Sequence, residues 1–433
     1  MNKSQPPPNP SSLEGSKKIW IINHYAITQY VNKTGRHYWF ARYLKDKGYE
    51  PIVFSSNFNN TIHIPIKKGK YHIEEAGSIP YVFVKTIPVF SNNIKRVINI
   101  LLFYWNLLCV SKHIIKQYGK PDVILASSFH PFTLVAGIQL GKRLGISVIC
   151  EVRDLWPEAI FFVKRGLEKS VTGKLLRWCE YWIYKRANAL IFTQEGGLDY
   201  IKEKEWDIGN GGSIDMDRVF YINNGVDVEC FNALMKEKQV DDDDLHTDDF
   251  RVVYVGAINP LNNVDMIVDA ANRLKEHDKI KFIIYGESKH ATVFKKKVDE
   301  LKLKNITFKG RINNQYVPYV LSKASVNLLT WNPSKWNVIR GYSSNKLFEY
   351  MASGKPIIST IKMGYSIIDK YKCGIEIEDA TAEKLADMIL TMRDMPKDEY
   401  DRLGENGKIG AKDFDYKILV EKLDDVVLKI GSL

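Results

Sequence analysis

The feature that most limits what this chain can fold into is a change of period repeated along its whole length. Short runs rich in β-branched and aromatic residues alternate with stretches of helical apolar spacing. In the first half the runs are KIWIINHY, PIVFSS, YVFVK, DVILAS, SVICEV, ALIFTQ and VFYINNG, with helical patterns at 36–47, 94–117, 132–144 and 171–187 between them. After residue 250 a second series follows: RVVYVGA, KFIIYG, ITFKGR, SVNLLT, PIIST and GIEIE. Strands alternating with helices predict βα units and parallel sheets covered on both faces. Two series predict two doubly wound, Rossmann-like α/β domains facing across a cleft, where such sheets hold ligands beyond the carboxyl ends of their strands.

With 433 residues, 45% of them hydrophobic, the chain has material for two cores. The Pro/Ser/Asn-rich residues 1–16 read as a disordered tail with no apolar signal core. The first domain is expected over 17–230 and the second over 250–433, joined by a linker at 231–249 that contains DDDDLHTDD. Four adjacent aspartates repel one another and lack fixed ligand geometry, so that run reads as a solvated loop rather than a metal site. The apolar spacing at 415–430 reads as a helix that can pack on either domain.

Charge is distributed unevenly. The net charge is +11, and residues 1–230 hold 30 Lys and Arg against 20 Asp and Glu, so nearly all the excess lies in the first half. A one-sided basic domain suits an anionic membrane surface, a phosphorylated substrate or nucleic acid. Nucleic acid is disfavoured because no recognition element interleaves Arg or Lys with aromatics. Five scattered cysteines without a C-x-x-C pair fit a reducing cytosol and argue against zinc or a disulfide framework. The run VINILLFYWNLLCV at 97–110 is too short to span a bilayer. It reads as a buried helix, or as one with a face in the lipid interface and basic residues at its ends.

No G-x-x-x-x-G-K-[ST] and no G-x-G-x-x-G occurs, which weakens the P-loop and dinucleotide readings. The loop after the first strand ends in Gly35 and Arg36 as a helix begins, a start suited to phosphate. ICEVRDLWPEAIF at 149–161 places Arg153 and Asp154 at the end of an apolar strand, and His130 follows the strand DVILAS. These three are the candidates for contacting donor or acceptor. GYSSNKLFEYMASGKPIIST at 341–360 sets Lys346 and Glu349 on one helical turn behind Ser343 and Ser344, either of which suits an N-cap. First-turn amides with Lys346 suit a diphosphate, and Glu349 suits the vicinal hydroxyls of a ribose.

At these residues the sequence resembles a known family. SSNKLFEYMASGKPIIST, VVYVGAI, NITFKGRI and YINNGVD are similar to signatures of the family 4 glycosyltransferases, retaining enzymes of GT-B fold that use nucleotide sugars. EVRDLWPE resembles the branch that builds bacterial O-antigens and capsules, including N-acetyl-fucosaminyl transferases. The resemblance implies an acceptor-side first domain and a nucleotide-sugar-binding second domain. It implies that Glu349 holds the ribose, that Ser344, Asn345 and Lys346 receive the diphosphate, that Gly35 lies near the donor phosphate, and that the segment with Arg311 meets the base. Gly256 opens the loop after the first strand of the second domain. Two departures stand out. The first glutamate of the family's E-x7-E motif is replaced by Gly341, and the loop GAINPLNNVD lacks the Arg and Lys that many members use on the diphosphate, so Arg311 or Arg340 is expected to help Lys346. The implied activity is transfer of a sugar, with retention, from a UDP-sugar to a lipid-linked polyprenyl-diphosphate saccharide. It needs no metal or cofactor, binds no nucleic acid, and takes place in the cytoplasm at the inner face of the cell membrane. The alternative is a sugar-nucleotide epimerase of similar two-domain fold.

Overall fold

The structure, a computed structural model, describes residues 16–59, 62–90, 94–164, 166–259, 262–288, 291–332, 338–341 and 343–431. The expected disordered tail falls outside the described residues except at position 16. Contacts divide the chain into two compact units. One ends at Ser127 and includes Phe132–Ile149; the other comprises Ser128–Pro131 and the chain from Cys150 onward.

In the first unit β1 (Lys18–Ile22), β2 (Glu50–Ser56), β3 (Tyr71–Ala76), β4 (Ile79–Val84) and β5 (Val123–Ser127) lie in the order β5-β1-β2-β4-β3. All are parallel neighbours except β3, which runs antiparallel to β4. Ile19, Trp20, Ile21 and Ile22 are each 0% exposed. A central strand covered on both faces reads as an unbroken apolar run, which is why the sequence marks it. Strand β3 (YHIEEA) is largely open to solvent, and its polar residues hide it from that criterion.

Helix α1 (Arg36–Asp46) follows β1, and helix α2 (Ile94–Tyr118) precedes β5. The two asparagines that interrupt the apolar run of α2 are anchors. Asn99 Oδ1 meets His24 Nε2 at 2.8 Å, its Nδ2 donates to Ile87 O, and Asn106 Nδ2 donates to Lys85 O. Because α2 extends well past 97–110, it is long and apolar enough to cross a membrane by length and composition. Yet 44% of its most apolar window is buried in the fold.

Strand β6 (Ser147–Val152) carries the chain into the second unit, where helix α3 (Val171–Tyr184) is followed by β7 (Ala189–Phe192) and β8 (Val219–Tyr221), a parallel pair. Then come β9 (Phe250–Val255), β10 (Ile280–Tyr285), β11 (Ile306–Gly310), β12 (Val326–Leu329), β13 (Ile357–Ser359) and β14 (Gly374–Glu376). They form a wholly parallel sheet in the order β11-β10-β9-β12-β13-β14. This is the doubly wound order, which reverses between β9 and β12. Helix α4 (Asn345–Ala352) enters between β12 and β13. The C-terminal helix α5 (Tyr416–Gly431) docks on residues 217–228: Asp415 bridges Val226, and Lys429 Nζ donates to Asp217 O at 2.7 Å.

The acidic run keeps Asp241, Asp243 and Asp248 exposed, in keeping with a solvated loop, but it is tied down at Asp242 and Asp244. Lys309 Nζ lies 2.7 Å from Asp242 and 2.6 Å from Asp244, the Tyr285 hydroxyl donates to Asp242 at 2.5 Å, and Leu245 is 1% exposed in an apolar cluster with Val253 and Tyr319. One lysine on a neighbouring strand offsets the repulsion that isolated aspartates would feel.

Candidate functional site

The reversal point of the six-stranded sheet is where a doubly wound fold holds its ligand. There β9 ends and the chain turns at Gly256, and a Cβ on residue 256 would lie 2.4 Å from Lys346 Nζ and 2.5 Å from its Cε. Glycine is therefore required for the lysine to lie across the strand end. Lys346 Nζ donates to the Tyr254 hydroxyl at 3.1 Å and sits 4.7 Å from the centre of that ring. The hydroxyl donates onward to Ala257 O at 2.9 Å, and burial pushes the phenol's pKa up, keeping it neutral.

Helix α4 fixes this lysine because its other face is core. Leu347, Phe348, Tyr350 and Met351 are buried at helical spacing, and Tyr350 Oη lies 3.3 Å from Val255 O, tying helix to strand end. Ser344 is the N-cap residue, yet its hydroxyl makes no capping bond, contrary to the side-chain cap the sequence suggested. Among the described residues the Ser344 hydroxyl therefore takes none of the first-turn N–H donors, although the Leu347 N–H donates to the Ser344 carbonyl at 3.3 Å. Glu349, one turn on, is only partly accessible. Desolvation pushes its carboxyl up to about 7, and Lys346 opposes the shift.

The segment entering α4 is held by residues the sequence reading did not single out. Gln194 Nε2 donates to Gly341 O at 3.2 Å, Gly196 N–H donates to Arg340 O at 3.1 Å, and Asn224 Nδ2 donates to Ser343 O. Asn224 is 2% exposed, and its Oδ1 has no partner among the described residues. Gln194 and Asn224 follow β7 and β8 in the stretches FTQEGG and YINNGVD. Polar residues just past a buried strand were the available signal. The backbone also explains the missing glutamate. Gly341 has φ +95°, where a side chain is strained, and a Cβ there would lie 3.3 Å from Gly364 O and from Tyr365 Cβ. Arg340 does not supply spare charge, because its guanidinium is paired bidentately with Glu203 at 2.7 and 2.6 Å. Arg311 is exposed past β11. In the neighbouring GAINPLNNVD loop, Asn262 closes a turn onto Asn259 and Ala257 instead of presenting charge, while residues 260 and 261 lie outside the described set.

Three strand ends converge on Arg153. Its N–H donates to Ser128 Oγ at 3.0 Å, its carbonyl accepts from Thr193 Oγ1 at 3.1 Å, and its buried Nε has no partner among the described residues. His130, 8% exposed, lies two residues past Ser128, and Asp154 is partly accessible. Nearby, a cavity of about 400 Å3 is lined by Leu155, Glu158, Phe161, Phe162, Glu168, Ile339 and Arg340, so DLWPE and the segment entering α4 share one wall.

In the first unit the helix start at Gly35 is already capped. Gln29 Oε1 accepts from the N–H groups of His37 at 2.7 Å and Tyr38 at 3.3 Å, and Gly35 has φ +94° against that side chain. Arg36 is 1% exposed with its guanidinium 4.3 Å over the Phe40 ring. The amides offered to a phosphate serve the fold, and Arg36 is inside it. Among the described residues no three His, Cys, Asp or Glu side chains gather as metal ligands.

The geometry at Gly256 makes one expectation specific. Gly256→Ala displaces the flexible end of Lys346 and also puts a side chain at φ +159°, so the variant is expected to fold with a modest loss of thermal stability. Its nucleotide affinity, read by calorimetry, should fall several-fold.

Comparison with known proteins gives concordant matches. Residues 38–230 match the model described as Glycosyltransferase Family 4, and residues 235–409 match Glycosyl transferases group 1. The chain is 26% identical over 216 residues to the Putative teichuronic acid biosynthesis glycosyltransferase TuaH of Bacillus subtilis (strain 168). That match covers 49% of this chain and 50% of TuaH, so the chain spans about half the length of the curated relative it matches. Among solved structures, it superposes on a sucrose-phosphate synthase from Thermosynechococcus elongatus with a TM-score of 0.71 at 16% identity, covering 96% of this chain and 99% of that one. It superposes on Anabaena HepE in complex with UDP-glucose at 0.62 and 13% identity, covering 96% and 100%. WaaG, a glycosyltransferase involved in lipopolysaccharide biosynthesis, gives 0.62 at 13% identity, covering 94% and 99%. The fold is GT-B.

Proposed function

We propose that the chain, whose residues 38–230 and 235–409 match two glycosyltransferase family models, transfers a sugar from a UDP-sugar to a lipid-linked, polyprenyl-diphosphate saccharide, with retention, in surface-polysaccharide biosynthesis. The observation that carries this reading is Lys346 lying across Gly256 at the reversal point of the sheet, with Glu349 one turn further. Lys346 and the first-turn amides of α4, at Ser344 and Asn345, take the diphosphate, and Glu349 takes the ribose. Negative charge grows on the diphosphate as its bond to the sugar breaks, and these fixed donors stabilise it without reorganising. Arg311 is assigned to the base side of the site, and His130, Arg153 and Asp154 to the reacting sugars. UDP is favoured as the nucleotide because HepE, of similar fold, binds UDP-glucose.

An anionic membrane surface completes the proposal, at the inner face of the cell membrane. Its support in the first unit is the outer side of α2, where Ile94 is 71% and Trp105 59% exposed beside Lys95 and Lys112. The experiment that tests the reading is a panel of UDP-, GDP- and TDP-sugars scored for protection against thermal unfolding. A UDP-sugar is expected to raise the Tm in a concentration-dependent way. If no nucleotide sugar protects, the donor assignment falls; if only GDP- or TDP-sugars do, the UDP assignment falls.

A further inference from the structure

Helix α3 leaves an apolar stripe uncovered in the second unit. Val171 is 85% exposed, Leu175 56% and Trp178 58%, at i, i+4 and i+7, so they share one face. The opposite face is core: Gly173, Glu180, Ile183 and Tyr184 are buried. The helix is pressed against the preceding turn, since a Cβ on Gly173 would lie 2.1 Å from Leu167 O. The stripe is therefore fixed outward and is not the inner face of a loosely seated helix.

The charges around it are sorted by the same packing. Arg177 gathers every glutamate between residues 158 and 180: Glu158 at 3.0 Å, Glu168 at 2.7 Å and Glu180 at 3.0 Å. Lys204 also pairs with Glu158, at 3.2 Å. With the carboxylates drawn to one guanidinium, the exposed charges outside these pairs among the described residues of 158–186 are Lys164, Lys169, Lys174, Lys185 and Arg186. Lys185 and Arg186 lie over the rings of Tyr181 and Trp182, at 5.0 and 4.3 Å, as amphipathic cations do when their stems cover apolar surface.

We propose that this face of α3 is a docking surface for an anionic lipid bilayer, with Val171, Leu175 and Trp178 at the headgroup boundary and the flanking cations on lipid phosphates. A second copy of the chain is the weaker occupant, because two-fold packing of the stripe sets the same five cations against themselves. The assignment deepens the membrane part of the proposed function and rests on it, but it names a different element from α2.

The test is sedimentation of the full chain with phosphatidylcholine vesicles, with and without phosphatidylglycerol. Three variants are compared with wild type: Val171→Ser/Trp178→Ser, Lys169→Gln/Lys174→Gln, and Ile94→Ser/Trp105→Ser in α2. Thermal protection by the nucleotide sugar that protects wild type checks that each variant is folded. Wild type is expected to bind only the anionic vesicles and to release in salt. The apolar α3 pair should lose about tenfold in partitioning and the lysine pair a similar factor. Full binding by both α3 variants, with loss only in the α2 variant, overturns the α3 assignment and leaves the membrane reading standing. No binding by wild type overturns both, while nucleotide protection still reports on the donor site. A wild-type dimer that Val171→Ser/Trp178→Ser makes monomeric also overturns it.

Discussion

Lys346→Ala is expected to weaken UDP binding by about 10- to 150-fold, the worth of about 1.5–3 kcal/mol for a hydrogen bond to a charged group. Transfer activity should fall at least as far, because the charge the lysine meets is greatest as the leaving group departs. Without ligand the lysine touches a tyrosine ring and hydroxyl, contacts worth about 1 kcal/mol. At pH 5, where Glu349 holds its proton and does not need the cation, the variant should unfold close to the wild-type temperature, which separates a binding defect from a folding one. Lys346→Arg is not expected to rescue fully, because a planar guanidinium does not reproduce the placement of the compact ammonium that lies across Gly256. Calorimetry with UDP checks the two affinities, a transfer assay the activity and thermal melting the stability; an unchanged Kd for Lys346→Ala would remove the diphosphate assignment.

The second large effect has opposite signs for stability and binding. The Glu349 carboxyl has its pKa raised from 4.5 to about 7 by desolvation. Below the unfolded value both states hold the proton and nothing is lost. Between the two values the unfolded chain releases its proton first, so the folded state is progressively penalised, fully so above about 7. The penalty is about 3 kcal/mol. Glu349→Gln removes it, so the variant should melt several degrees higher than wild type at pH 8 and nearly with it at pH 5. The same change should weaken sugar-nucleotide affinity about tenfold or more, since an anionic acceptor for the ribose hydroxyls is gone. In wild type, affinity for a UDP-sugar should fall as pH drops through 7, while in the variant it should stay flat. The UDP-sugar is a diphosphate diester with no titration near neutrality, so the trend reports the protein. Calorimetric titration and melting at the two pH values decide; a variant that is less stable at pH 8 would contradict the buried-charge account.

A stabilising substitution that weakens binding is what a ligand site is expected to show, because a charge held in a poor dielectric for its own sake only costs stability. Arg177 gives the contrasting case. Three carboxylates satisfy it, and its role is to shape the second unit and, in doing so, to leave the outer face of α3 basic.

How far the candidate site was legible differs residue by residue. Lys346 and Glu349 stood out because a helix of apolar spacing carried both on one turn, and that pattern is local. Gly256 stood next to a strand end, but its reason, a lysine lying across it, joins residues 90 positions apart. Arg36 looked like a phosphate ligand from its place at a helix start; the structure buries its guanidinium over Phe40, and Gln29, seven residues earlier, folds back to cap that helix. Strand β3 was missed because an accessible strand keeps polar residues that no apolar run reveals. The pairing of Asp242 and Asp244 was not legible either, because the lysine they meet lies on a distant strand.

The sequence by itself determined the two series of strands, the helices between them, and the helical turn that carries Lys346 and Glu349. It could do so because burial writes its period into nearest neighbours along the chain. Only the tertiary structure decided that Gly341 cannot bear a glutamate, that Gln194, Asn224 and Glu203 hold the entrance to α4, that Arg340 is already paired, and that α3 turns an apolar, basic face outward. Those outcomes depend on which groups meet across long separations and which charges are left over when they have met. Neither is a property of any one stretch of residues.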